Sequence, residues 1–417
     1  MTTPTTPTPP RPPRTAVSGT ILARRPLRPC PPAPVRVVTD AERRARLGTR
    51  HALASPVRGP LEAARAVVCL HATEPASVYL SAYARCGATR ADVDEALYDE
   101  RTIVRQLAMR RTVFAVPRDL LGAVLGSASA RVAKQQQDLL ARTITAAGVS
   151  ADGTAWVKQT CAATLALLHQ APATTAQLRT QLPALAVRLA PPERGAGAAP
   201  APVAPRVMTV LAAGGAVVRG RNNGGWTVSR PFWTPAETWL GGPSPLIPEA
   251  EGYAEIVRRW LWAFGPGTEA DIVWWLGATK TAVRRALTDV GALPVRLQDG
   301  SPAWLHPDDG DEVAAPAPWA ALLPTLDPTT MGWQRRSFHI DADLAGTVYD
   351  RAGNGRRTAW CDGRIIGTWT QQQDGTVKVL TATPLGNDAT TALARAATQL
   401  TVWLAGHVIR SSLQPQG

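Results

Sequence analysis

The 417-residue chain has few cysteines, and none is placed to build a disulfide framework or a zinc site. Cys30, Cys69, Cys86, Cys161 and Cys361 are odd in number. No two form C-x-x-C, and none has a histidine at zinc-finger spacing. Reduced thiols in a cytoplasmic protein are the simplest expectation. No apolar run approaches the roughly 18 residues that cross a bilayer, so no membrane partner is expected. A secretory signal is missing too, because the N-terminal arginines lead into prolines and not into an apolar core. There is no Walker loop, His-Glu-x-x-His helix or nucleophile elbow, and no cofactor is implied. The carboxylates of His306–Glu312 have no partner histidine nearby, so this run reads as a solvated acidic loop and not a metal site.

Negative charge is also scarce. Lys and Arg number 45 against 32 Asp and Glu, a formal net charge of +13. Such an excess attracts polyanions, since each neutralised phosphate releases a condensed counterion. The alternative is an Arg- and Ala-rich coding bias. A hydrophobic share of 45% supports well-filled cores, and the length calls for two to four units. Residues 1–38 are Pro-rich with no acidic residue before Asp40, and are expected to be a disordered tail.

The expected fold is α+β and mainly helical: three tandem winged-helix (helix-turn-helix) units, then a small C-terminal α+β or β-barrel-like unit. Boundaries are placed at 39–150, 151–245, 246–312 and 313–417. In the first unit Asp40 caps a helix, Pro60 and Pro75 open two more, and Thr89 starts a fourth with a capping box. Ile103–Met109 has apolar residues at helical spacing, and Arg111–Pro117 reads as a strand. The second unit has a helix, a capped helix at Thr174, an insertion at 190–205 expected to be disordered, a helix at Arg206–Ala213, and a hairpin at Ala216–Val228 turning at Asn223-Gly224. The third unit is the clearest. Tyr253–Phe264 is amphipathic, Thr268 begins a capping box, and Glu269–Leu276 and Thr279–Val290 form a helix pair around Gly277. Leu293–Leu297 and Ala303–Leu305 flank a turn at Asp299-Gly300. After an acidic linker at 307–318, the stretches 359–370 and 377–381 read as strands and Asp388–Ala405 as a closing helix.

Four stretches carry a family resemblance: Leu70–Leu80 (LHATEPASVYL), Ile103–Thr112 (IVRQLAMRRT), Leu322–Trp333 (LLPTLDPTTMGW) and Asp362–Trp369 (DGRIIGTW). From about Asp40 to Leu404 the chain resembles the winged-helix DNA glycosylases of the AlkZ and YcaQ type. That resemblance implies binding of double-stranded DNA by a monomer, and hydrolysis of the N-glycosidic bond of alkylated or crosslinked bases. It also implies a water-holding Gln-apolar-Gln triplet, whose aligned residues here are His71-Ala72-Thr73. Residues two apart in an extended segment face one side, so His71 and Thr73 could still hold water, with His71 accepting its proton. Glu74 is a further base or charge stabiliser. Used as caps and packing residues instead, they would leave a non-catalytic DNA-binding regulator or lesion-shielding factor. Expected DNA contacts are Arg105, Arg110, Arg111, Arg219, Arg221, Trp226, Lys280, Arg284 and Arg285. Of the adjacent Trp274 and Trp275, one ring at most can face the core.

Overall fold

Six helix starts among the described residues are set by capping side chains, at Thr39, Thr89, Asp152, Thr174, Thr268 and Thr279. Thr39 accepts from the Glu42 amide and opens α1 (Asp40–Arg50), one residue before the expected cap at Asp40. The computed structural model describes residue 2 and residues 35–190 and 199–411. Most of the expected tail and residues 191–198 of the expected insertion therefore lie outside the described residues. Arg36–Gly417 forms one compact unit.

A first correction concerns the tail's end. Val37–Val38 (β1) is a strand, and fully buried Val38 packs on Val295, Leu297, Ala303 and Leu305. Next come α2 (Pro60–Ala66), β2 (Leu70–His71), α3 (Pro75–Cys86) and α4 (Arg90–Asp94), the last opened by the Thr89/Asp92 capping box. Ile103–Leu107 (β3) is a strand and not the expected helix. It is buried on both faces, Arg105 and Gln106 included, so no alternation of apolar and polar residues marks it as a strand. β4 (Val113–Pro117) lies between β2 and β3, antiparallel to both. α5 (Leu121–Val124) and α6 (Ala130–Ala146) lead out of this unit.

The next stretch holds α7 (Gly153–Gln170), α8 (Thr175–Gln181), β5 (Arg188–Leu189), β6 (Ala201–Pro202) and α9 (Ala204–Ala213). β5 pairs with β6, so residues 201–205 are ordered, contrary to the expected insertion. β7 (Val217–Asn222) and β8 (Pro231–Pro235) form the hairpin, and α10 (Ala236–Leu240) follows. Its turn is not the two-residue Asn-Gly type. The Asn223 amide donates to the Arg230 carbonyl across a longer loop, in which Gly224 and Gly225 both have positive φ.

α11 (Glu249–Phe264), α12 (Glu269–Leu276), α13 (Lys280–Val290), β9 (Leu293–Leu297) and β10 (Pro302–Leu305) match the sequence reading closely. Gly277 turns between α12 and α13 at φ 64°, a value glycine adopts without strain. β1 adds in parallel to the free edge of β9. The acidic linker is not simply solvated. Asp309 is buried and bonds Arg46 and Arg50, because two α1 guanidiniums need a carboxylate there.

The C-terminal part contains β11 (Ala320–Leu323), α14 (Ala342–Val348), β12 (Thr358–Cys361), β13 (Arg364–Gln371), β14 (Val377–Thr381) and α15 (Asn387–Leu404). The four strands form an open antiparallel sheet in sequence order, so the barrel-like expectation fails: four strands are too few to close. Leu393, Ala397 and Leu400 of α15 pack with Trp369 and Leu322, and with Ala76 and Leu80 of α3. The architecture is mixed α and β with helix predominating. One core runs from Leu47 to Ile365 through all these parts.

α3 is fixed from below by an ion pair. Arg85 and Asp327 are both fully buried and meet at 2.7 Å. Ser81 also bonds Asp327, and Thr329 accepts from Arg85. His51 closes the network on Thr329 and the Ala263 carbonyl.

Candidate active site

The junction of β2 and α3 carries the triplet. Ladder pairing ends at His71, opposite Phe114, and the chain then bends into α3. The period-two argument stops with the strand. His71 is buried at 3% exposure against the Phe114 ring, while Thr73 is exposed. The two thus differ in exposure, although they are two residues apart.

Both side chains are engaged. The Thr73 amide donates to His71 Nδ1 (3.5 Å), and the Val113 amide donates to Thr73 Oγ1 (3.3 Å). With Nδ1 accepting, a neutral ring carries its proton on Nε2. Burial, aided by the Arg110 charge, pushes the His71 pKa down to about 3. His71 is thus a neutral ring with its N–H on Nε2.

Glu74 stands at the N-cap of α3, makes no capping bond and is half-buried. Its Oε1 accepts from Ser411 Oγ at 2.8 Å. The tail behind Ser411 is anchored by buried Ile409, whose amide donates to Gln371 and whose carbonyl accepts from Arg357. Nothing in the sequence marked Ser411, because its partner lies 337 residues away.

Arg110 and Arg111 occupy the turn between β3 and β4, both at positive φ (53° and 61°). Arg111 is exposed, whereas Arg110 lies over the Trp274 ring at 4.2 Å. The tryptophan pair divides as expected: Trp275 is in the core and Trp274 is half-buried. Arg336, which stacks on the same ring, carried no signal in the sequence.

Three expected DNA contacts are occupied elsewhere. Arg105 is 6% exposed and donates to the Arg219 and Gly220 carbonyls, joining β3 to β7. Arg219 lies over Trp233, and its pKa falls to about 10 through burial and the nearby Arg105 charge. Trp226 packs with Tyr79, Trp403 and His407, so its ring joins the β7–β8 loop to α3 and α15. Arg221 is exposed and paired with Asp94 and Asp99. Lys280, Arg284 and Arg285 share the exposed face of α13, where Arg284 meets Glu269 and Arg285 meets Asp289. Among the described residues no His, Cys, Asp and Glu cluster could hold a metal ion.

No curated protein matches the sequence. In structure the chain is similar to the Streptomyces sahachiroi DNA glycosylase AlkZ, with a TM-score of 0.68 and 19% identity over 90% of this chain and 98% of that one. Residues 64–403 match the family described as "DNA glycosylase AlkZ-like", and the chain therefore belongs to that family.

Proposed function

We propose that this protein binds duplex DNA and hydrolyses the N-glycosidic bond of an alkylated or crosslinked base. The observation that carries this reading is the β2–α3 junction, which gathers an imidazole N–H, a hydroxyl and a carboxylate within four residues of a family glycosylase scaffold. Water attacks the anomeric carbon, the carbon–nitrogen bond breaks, and the base leaves with the bonding electrons. Glu74 takes the water's proton and faces the developing positive charge of the sugar. The Nε2–H of His71 and the Thr73 hydroxyl orient the water. A cationic alkylated base needs no acid to leave.

The DNA-binding frame of this proposal is three winged-helix units, over 39–150, 151–245 and 246–312, joined to the C-terminal unit 313–417. In support, each of the three contains a two-stranded antiparallel pair: β3–β4, β7–β8 and β9–β10. α13, with Lys280, Arg284 and Arg285, lies along the duplex, and Arg221 and Arg111 add phosphate contacts. The protein acts as a monomer in the cytoplasm. No helix among the described residues is long and apolar enough to cross a membrane.

A second reading is favoured by the bonds that already occupy His71 Nδ1 and Thr73 Oγ1. In it the triplet is structural, and the protein shields lesions or regulates. Base release from duplex DNA carrying alkylated purines separates the two. Release by the natural protein, lost about 100-fold or more in Glu74→Gln, supports hydrolysis. Tight binding without release, with release gained in the double variant His71→Gln/Thr73→Gln, supports the second.

A further inference from the structure

Two arginines share one indole beside the candidate site. The Arg110 guanidinium lies 4.2 Å from the Trp274 ring centre and that of Arg336 lies 5.1 Å from it. Arg336 also stacks on Tyr349 at 3.8 Å and donates to the Trp333 and Gly353 carbonyls. Its position is therefore fixed by neutral groups. Arg110 has less: no hydrogen bond or ion pair to any described residue, and a buried Nε without a partner. Burial and the Arg336 charge together pull its pKa down to about 10, so the two cations repel across the ring.

The backbone beneath Arg110 is held in an unfavourable shape. Arg110 and Arg111 are consecutive non-glycine residues in the left-handed region, where a Cβ crowds the backbone. A Cβ added at Gly277 would come within 3.2 Å of the Arg110 amide nitrogen, so the turn is pressed against the α12–α13 corner. Strain, uncompensated charge and an unmet donor thus meet at one turn. They lie next to His71, which feels the Arg110 charge, and to Thr73, which pairs with Val113 at the base of the same hairpin. Folding alone gains nothing from such an arrangement. An anion reaching both guanidiniums would relieve the repulsion and supply the missing acceptor.

We propose that Arg110 and Arg336, stacked on Trp274, receive a phosphodiester of the DNA strand whose base lies at the β2–α3 junction. This deepens the glycosylase reading and rests on it. One fixed phosphate beside the reacting nucleotide sets the register of the strand, so the target sugar faces Glu74.

The test is Arg110→Gln, which keeps a polar side chain and removes the charge. Two quantities are measured: thermal stability without DNA, and affinity for duplex DNA across a salt series. The free variant should melt no lower than the natural protein, because a buried cation without a partner has been removed. Its affinity should fall about tenfold, with the log–log salt slope shallower by about 0.9, one phosphate's worth. Arg110→Lys should restore most of the slope. An Arg110→Gln variant that melts lower and binds DNA with an unchanged slope would make Arg110 a structural cation and overturn the proposal alone. A natural protein that binds no duplex DNA at 50 mM salt would overturn the DNA reading and the proposal with it.

Discussion

At the scale of single residues, the positions of the candidate site were legible but their protonation was not. His71, Thr73 and Glu74 stood out in the sequence, yet the imidazole's place under Phe114 depends on a strand some 40 residues later in the chain. A solvent-exposed His71 would lose its basic form near pH 6.5, with activity falling in step. At about 3, its pKa leaves the ring neutral throughout the physiological range. The fully buried Arg85–Asp327 pair poses the opposite problem, since it holds charges where neutral groups would serve. Asp327→Ala strands the Arg85 guanidinium in the core and should cost about 3–5 kcal/mol, read from urea unfolding. The double change Arg85→Leu/Asp327→Leu should cost less than that single one, because no charge remains buried. Equal losses in both would mean that Asp327 acts through its turn at Thr329 and not through its charge.

At the scale of elements, legibility followed local chemistry. α12 and α13 were read almost to the residue because Thr268, Gly277, Thr279 and Gly291 mark their ends. Thr268 Oγ1 accepts from the Asp271 amide and donates to the Asp271 carboxylate, which in turn accepts from the Thr268 amide. Asp271 Oδ1 also takes the amides of Gln334 and Arg335, so this cap ties α12 to the C-terminal part. Thr268→Ala should lower stability by about 1–2 kcal/mol, at the upper end for a cap because the site is buried. Thr268→Ser should retain nearly all of it. Where elements were misread, the deciding partner was remote. β3 looked helical because both its faces are covered. β1 was lost inside a proline-rich stretch because only β9, some 260 residues later, makes Val37–Val38 a strand.

At the scale of the whole molecule, the buried histidines couple the parts to pH. His51 joins α1 to α11 and to the turn at Thr329, His71 lies in the first sheet, and His339 sits between Trp333 and Trp360. Burial pushes the pKa of His51 and of His71 down to about 3, and that of His339 well below its usual value. In the unfolded chain all three titrate near 6.5. Between 6.5 and 3 the unfolded state therefore binds protons that the folded state refuses. Stability from these groups is complete above pH 6.5 and is lost as pH falls towards 3. At pH 5 the loss is about 2 kcal/mol for each of His51 and His71, by linkage at 1.4 kcal/mol per unit. His339 acts in the same direction. The depressed carboxyls of Asp309 and Asp327 add nothing at pH 5, because their unfolded values lie near 4 and both states are ionised there. Urea unfolding at pH 7.5 and pH 5.0 should thus differ by about 4 kcal/mol or more. His71→Gln should remove about 2 kcal/mol of that difference while leaving the His51 share intact. A natural protein equally stable at both pH values would mean that protons reach these rings in the folded state, and that His71 is accessible enough to be charged during the reaction.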